Sequence, residues 1–418
     1  MQTSLVGNYG VKNLGDELML QGFFDVLHGV HPECTLHILS GHPEEYANTS
    51  GIKATAFMPM GRSILRGQEF SHTLFAYKQS SAVFFGGGGL FTDEKWKAPL
   101  IWFWQMLWAT KFFTKKHVWV SQSVGPLKTW LGRALTRFVA NRASHIIVRD
   151  QASVEVLASL HIKTPVQLLP DLAFMLRKKQ PPVSPLSGGQ TAPSLIREGN
   201  LGSVIPDNDV LRSDPGSRKK QTDVWIPAYA GMTERTSKRI IISLRPWMQH
   251  QESIIASIAA FIDTLYKGDT GYSFVFVPFQ INIDNDLDIA IRLKAQLDPS
   301  VSFEILDHVP ETQEVLDLYQ TAYAVIGMRL HATILAAMCG VPYIALSYSS
   351  KVTAMSIELG MGDYTIDIRD LTGERILELF HKLEQDYQGI SDRLGATAAH
   401  KYEECEKGYR EIMASILQ

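Results

Sequence analysis

The chain has 418 residues, enough for two or three domains, and its 45% hydrophobic and 20% charged residues exclude a disordered or fibrous protein. Lys and Arg number 40 against 43 Asp and Glu, a net charge of −3, so no global basic field exists and no nucleic-acid partner is expected. Three cysteines (Cys34, Cys339, Cys405) without metal-ligand spacing argue against a disulfide framework or zinc site and fit a cytoplasmic protein; residues 1–10 lack the pattern of a signal peptide.

In chain order, residues 4–6 read as a short strand, followed by a Gly-rich turn and a helix over 16–28. Strands are expected at 35–39 and 82–85, the second running into Gly86-Gly87-Gly88-Gly89. Residues 100–113, LIWFWQMLWATKFF, are very apolar yet shorter than the ~20 residues of a spanning helix. The segment reads either as a buried helix or as an interfacial one. In the second case Trp102, Trp104, Trp108 and Phe112 sit at headgroup level beside Lys97, Lys111, Lys115 and Lys116, giving peripheral membrane contact. A strand at 117–121, a helix at 131–142, a strand at 145–148, a helix at 153–160 and a strand at 166–169 follow. Short apolar strands separated by helices imply parallel sheet with crossover helices.

The pattern stops between about 181 and 237, which is rich in Pro, Ser, Gly, Asn, Asp and Arg. We expect 177–238 to be a disordered linker or insertion, since so long a structureless loop does not suit a compact domain. A second alternating unit has strands at 240–244, 273–277, 303–306, 324–327 and 343–346. Its helices fall at 252–266, 286–297, 312–320 and 331–339, and 397–417 reads as one long helix. The chain is therefore expected to be α/β, with two Rossmann-like doubly wound domains (1–176 and 239–395), a central cleft, and a C-terminal helix within 396–418. Ligands should bind in the cleft.

Polar residues cluster at the ends of these strands. Asn13 and Asp16 open the first helix; they either cap it or face the cleft, where they hydrogen-bond sugar hydroxyls or act as a base. Gly86, Gly87 and Gly88, with Gly89, form an amide-lined nest for an anion, a flat platform for a sugar, or merely a tight turn. Arg245 ends a strand in Ser243-Leu244-Arg245-Pro246-Trp247, where its planar fork suits a carboxylate or phosphate; a surface salt bridge is the alternative. Arg329 and His331 stand between a strand and an apolar helix, facing the cleft. Lys351 ends the next strand at the same sheet edge. Together Arg245, Arg329, His331 and Lys351 suit a small, multiply charged anion.

In order, the segments GNYGVKNLGDE, FFGGGGLFTD, VRDQAS, SLRPW, GMRLHATILAAMCGVP and SYSSKV resemble the polysaccharide pyruvyl transferase family, CsaB type. The resemblance covers residues 1–176 and 239–395, not the insertion. It implies two Rossmann-like domains in a GT-B-like arrangement, the first on the acceptor side and the second on the phosphoenolpyruvate side. It also implies transfer of the enolpyruvyl unit of phosphoenolpyruvate to a sugar as a 4,6-linked pyruvate ketal. For the CsaB type the acceptor is N-acetylmannosamine of a secondary cell-wall polymer, on a lipid-diphosphate-linked or nucleotide-linked precursor, modified in the cytoplasm at the inner face of the membrane. Such ketals anchor surface-layer proteins.

Carried onto this chain, Arg329 and His331 are the expected catalytic pair. Arg245, Arg329, His331 and Lys351 are the expected donor-binding set, and Asn13, Asp16, Gly86, Gly87 and Gly88 the acceptor side. Phosphoenolpyruvate is expected as co-substrate, with no metal or other cofactor. Protonating its methylene carbon makes C2 electrophilic toward a sugar hydroxyl, so His331 is the expected general acid or phosphate-side proton donor. The cations would stabilise the departing phosphate. The rival expectation is a GT-B nucleotide-sugar glycosyltransferase. Such enzymes often carry a glutamate in the helix before a Gly-x-Pro turn, and residues 332–339, before Gly340-Val341-Pro342, contain no acidic residue. A non-catalytic sugar-phosphate binding protein is a further alternative, disfavoured by the retained Arg329, His331 and Lys351.

Overall fold

A computed structural model of the chain describes residues 1–47, 49, 51–60, 67–93, 98–109, 116–176, 238–268, 271–282 and 284–418. The segment 177–237 lies outside them, as do Lys97, Lys111, Phe112 and Lys115.

The first half comprises β1 (Gln2–Val6), α1 (Leu14–Val30), β2 (Thr35–Ser40), β3 (Ile52–Ala56), α2 (Gly67–Gln79), β4 (Val83–Gly86), α3 (Ala98–Trp108), β5 (His117–Gln122), α4 (Trp130–Ala140), β6 (His145–Val148), α5 (Gln151–Ser159) and β7 (Val166–Leu168). Its strands form one sheet in the order β3-β2-β1-β4-β5-β6-β7, all parallel. The second half comprises β8 (Lys238–Ser243), α6 (Gln251–Gly268), β9 (Tyr272–Phe276), α7 (Asp286–Lys294), β10 (Phe303–Ile305), α8 (Thr312–Thr321), β11 (Ala324–Gly327), α9 (Leu330–Met338), β12 (Tyr343–Ser347), α10 (Ser350–Glu358), β13 (Thr365–Asp367) and α11 (Gly373–Gln385). Here the order is β10-β9-β8-β11-β12-β13, again parallel. The expected α/β architecture of two Rossmann-like domains is thus the observed one.

Central strands such as β4 (VFFG), β11 (AVIG) and β12 (YIALS) are buried at every residue. Helices cover both faces of a parallel sheet, so such strands read as continuous apolar runs. Each fully buried Ile, Leu or Phe contributes about 1.5–3 kcal/mol of transfer free energy, which explains why these strands were legible. The sequence reading placed nothing on β3, α2, α10, β13 or α11. β3 (IKATA) is an edge strand of mostly half-exposed residues, and α2 mixes Gln, Glu, His and Lys with its apolar positions. Neither carries the apolar run that marks a central strand or a deep helix.

In each sheet the strand order reverses about its first strand, between β1 and β4 and between β8 and β11. Loops leaving adjacent strands at such a point diverge to opposite faces and open a crevice at the carboxyl edge. The Gly86–Gly89 turn lies at one reversal, Arg245 and Arg329 at the other. The halves meet along these edges: Leu14 N donates to Phe279 O at 2.8 Å, and Asn13 forms an isolated bridge with Gln280.

A last helix, α12 (Tyr387–Leu417), is 31 residues long, ten residues longer at its start than expected. It returns from the second half to the first. Lys116 Nζ donates to Ile416 O at 2.7 Å, Cys405 packs on Pro170 and Asp171, and Arg410 donates to Gly29 O.

The tryptophan-rich helix α3 packs inward. Trp102 is buried beside Phe57, Trp104 Nε1 donates to Pro59 O at 3.0 Å, and Gln105 exchanges two 2.9 Å hydrogen bonds with the backbone of Met58. These partners pack Trp102, Trp104 and Gln105 against the protein, while Trp108 is half-buried and Phe112 lies outside the described residues. No helix among the described residues is long and apolar enough to cross a membrane.

Candidate functional site

α1 starts at the carboxyl edge of the first sheet because Asn13 Oδ1 accepts from Gly15 N at 3.2 Å and satisfies one of the helix's orphan donors. Asn13 has a second task. Its Nδ2 donates to Asp16 Oδ2 at 3.0 Å, and Asn8 Nδ2, from the preceding loop, donates to the same oxygen at 3.2 Å. Asn13 therefore caps the helix and also orients a carboxylate. Asp16 is buried, and that burial raises its pKa, against the opposing influence of His331 and the Asn8 hydrogen bond.

His331 arrives from the other half in the first turn of α9. It occupies the space that a side chain on Gly15 would fill: a Cβ there would stand 2.1 Å from His331 Nδ1. On its other edge His331 Nε2 is 3.5 Å from Asp171 Oδ2 and 3.5 Å from Arg149 Nη1. A neutral imidazole can accept from Arg149 through Nε2; an imidazolium turns an N–H toward Asp171.

Arg149 and Asp171 also belong to the site, with no role expected for them from the sequence. Arg149 follows β6, is buried, and binds Asp171 Oδ2 at 2.5 Å through Nη1 and Ser123 Oγ at 2.9 Å through Nε. Burial disfavours the charge on Asp171, but Arg149 and His331 beside it hold its carboxyl well below the usual range. The signal was present in the VRD text, an arginine at the end of a buried strand. Only the fold reveals that it meets Asp171, 22 residues onward, and His331 of the other half.

Lys351, in the first turn of α10, reaches the glycine turn: its Nζ is 3.6 Å from where a Cβ on Gly89 would be. Gly88 has φ +79, a left-handed conformation open to glycine, and a Cβ there would lie 2.9 Å from Asp16 Oδ1. Gly86 and Gly87 instead pack against the Tyr9 ring. A cavity of about 380 Å³ opens beside this group, bounded by Arg149, Asp150, Leu330, Lys351 and Met355.

The four expected cations divide. His331 and Lys351 join the group containing Arg149. Arg329, the N-cap residue of α9, is buried and ion-paired with Asp286, which also accepts from Phe279 N at 2.9 Å and Gln280 N at 3.1 Å. Arg245 pairs with Asp284 at 2.5 Å and donates to Tyr348 Oη at 3.2 Å. Both arginines therefore brace the loop between β9 and α7, the loop that contacts Asn13. Each also keeps one buried nitrogen, Nε, without a hydrogen-bond partner. A ligand oxygen could satisfy such a donor.

The geometry unites a histidine and lysine of one half with an aspartate and an arginine–aspartate pair of the other. It can bind an anion, donate a proton, and accept one. The chain is 22% identical to the amylovoran biosynthesis protein AmsJ of Erwinia amylovora over 94% of each chain. In fold it is similar to Anabaena HepE in complex with UDP and glucose (TM-score 0.58, 13% identity, 99% of this chain and 98% of that one). It is likewise similar to the UDP-GlcNAc 2-epimerase of Neisseria meningitidis (TM-score 0.55, 14% identity, 96% and 99%). Such likeness establishes the GT-B arrangement of the two domains and not the reaction. The sequence profile of polysaccharide pyruvyl transferases matches residues 13–350, spanning the glycine turn, Arg149, Asp171, Arg329 and His331. The chain belongs to the polysaccharide pyruvyl transferase family.

Proposed function

We propose that the protein transfers the enolpyruvyl group of phosphoenolpyruvate to a sugar of a cell-envelope polysaccharide precursor, closes it to a 4,6-pyruvate ketal, and releases phosphate. The observation that carries this reading is the meeting of His331 and Lys351 with Arg149 and Asp16 at one cleft between the domains. Phosphoenolpyruvate is a compact anion with a carboxylate and a phosphate. Lys351 and Arg149 supply cationic donors at the cavity, and Arg245 and Arg329 stand at the opposite strand ends.

In the proposed reaction His331 donates its proton to the methylene carbon of the enol phosphate, leaving C2 electrophilic. Asp16, oriented by Asn8 and Asn13, accepts the proton of the attacking sugar hydroxyl. A carboxylate of raised pKa is the better base for that step. Asp171 stays ionised and stabilises the imidazolium of His331. The C2–O bond to phosphate then breaks, phosphate leaving toward the cations with the proton held by Asp16, and the second hydroxyl attacks C2 to close the ketal, its proton returning to His331. Phosphoenolpyruvate serves as co-substrate, with no metal or other cofactor invoked.

The acceptor is proposed as N-acetylmannosamine of a lipid-diphosphate-linked or nucleotide-linked precursor, as in the CsaB type, with the product serving surface-layer anchoring at the cytoplasmic face. The relative named for amylovoran biosynthesis supports the wider class of polysaccharide precursors. Helix α9 carries no carboxylate to hold a nucleotide ribose before Gly340, which disfavours the glycosyltransferase alternative. His331→Ala is expected to lower turnover by at least a hundredfold while the thermal unfolding midpoint stays close to that of the parent. Unchanged turnover removes His331 from the mechanism.

A further inference from the structure

Between Lys128 and Arg142 the chain holds four Lys and Arg and not one Asp or Glu, although the whole molecule carries a net charge of −3. A local cationic surface on an acidic chain suits an anionic partner. The helix that carries it is α4. There Trp130 is 80% exposed, Leu131 41% and Phe138 38%. At 100° per residue Trp130, Ala134, Phe138 and Leu131 form one outward strip. Arg133 and Arg137 flank it on one side and Arg142 on the other. The opposite side of α4, with Gly132, Thr136, Val139 and Ala140, is buried against the domain.

The cations are oriented by the protein itself. Arg142 lies over the Phe138 ring at 3.4 Å, and Arg133 donates to Ser159 Oγ. Among the described residues, Lys128, Arg133, Arg137 and Arg142 form no ion pair with a carboxylate. An exposed tryptophan, leucine and phenylalanine bordered by unneutralised arginines have the composition of an interfacial helix, apolar side chains entering the acyl boundary while cations meet headgroup phosphates. Two copies of this face would set arginine against arginine, so self-association is disfavoured.

The face is also joined to the cleft. Asp93, four residues beyond Gly89, accepts from Lys128 N at 2.8 Å and from Thr129 N at 2.5 Å, and Thr129 caps α4 through Gly132 N. Trp130 is therefore held next to the loop that continues the glycine turn.

We infer that α4, through Trp130, Leu131 and Phe138 with Arg133, Arg137 and Arg142, docks the protein on an anionic phospholipid bilayer. Docking there sets the glycine turn near the surface from which a lipid-diphosphate-linked acceptor would extend. That consequence rests on the acceptor proposed above; the docking does not.

The test is flotation of the full chain with vesicles of phosphatidylcholine alone or mixed with phosphatidylglycerol. Binding is expected only to the mixed vesicles and should fall as salt rises. Arg133→Glu with Arg137→Glu should weaken it roughly tenfold or more, and Trp130→Ala should weaken it severalfold. Trp130 and Arg137 are exposed, Arg133 is half-buried, and none belongs to the cleft, so the variants should keep the parent's circular dichroism and its turnover of a water-soluble acceptor. Equal binding by parent and variants overturns the assignment. So does absence of binding to anionic vesicles at low salt, a dimer abolished by Trp130→Ala, or preference for nucleic acid over vesicles. Vesicle binding is read without turnover, so a wrong donor or acceptor leaves this result intact.

Discussion

Asp16 and Asp171 show how one cleft gives two carboxylates different duties. Asp16 is buried and hydrogen-bonded by the amides of Asn8 and Asn13, and burial raises its pKa against the opposing charge of His331. Asp171 is equally buried but lies 2.5 Å from Arg149, and its pKa falls. Environments that push two acids apart assign the roles of base and fixed charge. If Asp16 accepts the sugar proton, kcat/KM climbs with pH through its raised pKa. Asp16→Asn should then cut turnover at least a hundredfold and abolish that acidic limb, which a pH profile of the variant checks. Asp171→Asn leaves Arg149 buried and charged without its counter-ion. A loss of about 3–5 kcal/mol is expected, measured by urea unfolding. Because the folded pKa of Asp171 is depressed, the stability it contributes is present at neutral pH. That contribution disappears as pH falls below the ordinary carboxylate value toward the folded one. The parent should therefore lose stability in acid more steeply than the variant.

At the scale of elements, α1 and α9 deliver the site because their first turns interlock across the cleft. Gly15 is the point of closest approach. Ala is ordinarily better than Gly inside a helix by about 1 kcal/mol. Gly15→Ala should nevertheless lower turnover by at least tenfold, because its Cβ takes the position of the His331 ring; steady-state kinetics with His331 otherwise intact reads this directly. The strands bearing these turns were legible as apolar runs, and Asn13, Asp16, His331 and Lys351 as polar residues at their ends. Arg149 was not, since its partners come from a separate loop and the other domain. Arg329 and Arg245 were legible as strand-end cations, but not as partners of Asp286 and Asp284. Pairing 43 residues apart leaves no trace in spacing. The tryptophans of α3 were ambiguous for a related reason. An apolar helix under a domain and one at a membrane have the same composition, and hydrogen bonds such as those of Trp104 and Gln105 to residues 58 and 59 leave no trace in it.

For the whole molecule, two doubly wound sheets present their switch points to one another, and the single helix α12 straps the second half back onto the first. The site exists only where the halves meet: His331 and Lys351 come from one, Asp16, Arg149 and Asp171 from the other. Catalysis should therefore require both halves together with α12. The central claim is the donor, and phosphate release from phosphoenolpyruvate, with and without a panel of diphosphate-linked N-acetylhexosamines, tests it most directly. Acceptor-dependent release is expected, with a product heavier by one pyruvate ketal and loss of both in His331→Ala. No release from phosphoenolpyruvate, together with turnover of a nucleotide sugar on the same acceptors, would contradict it.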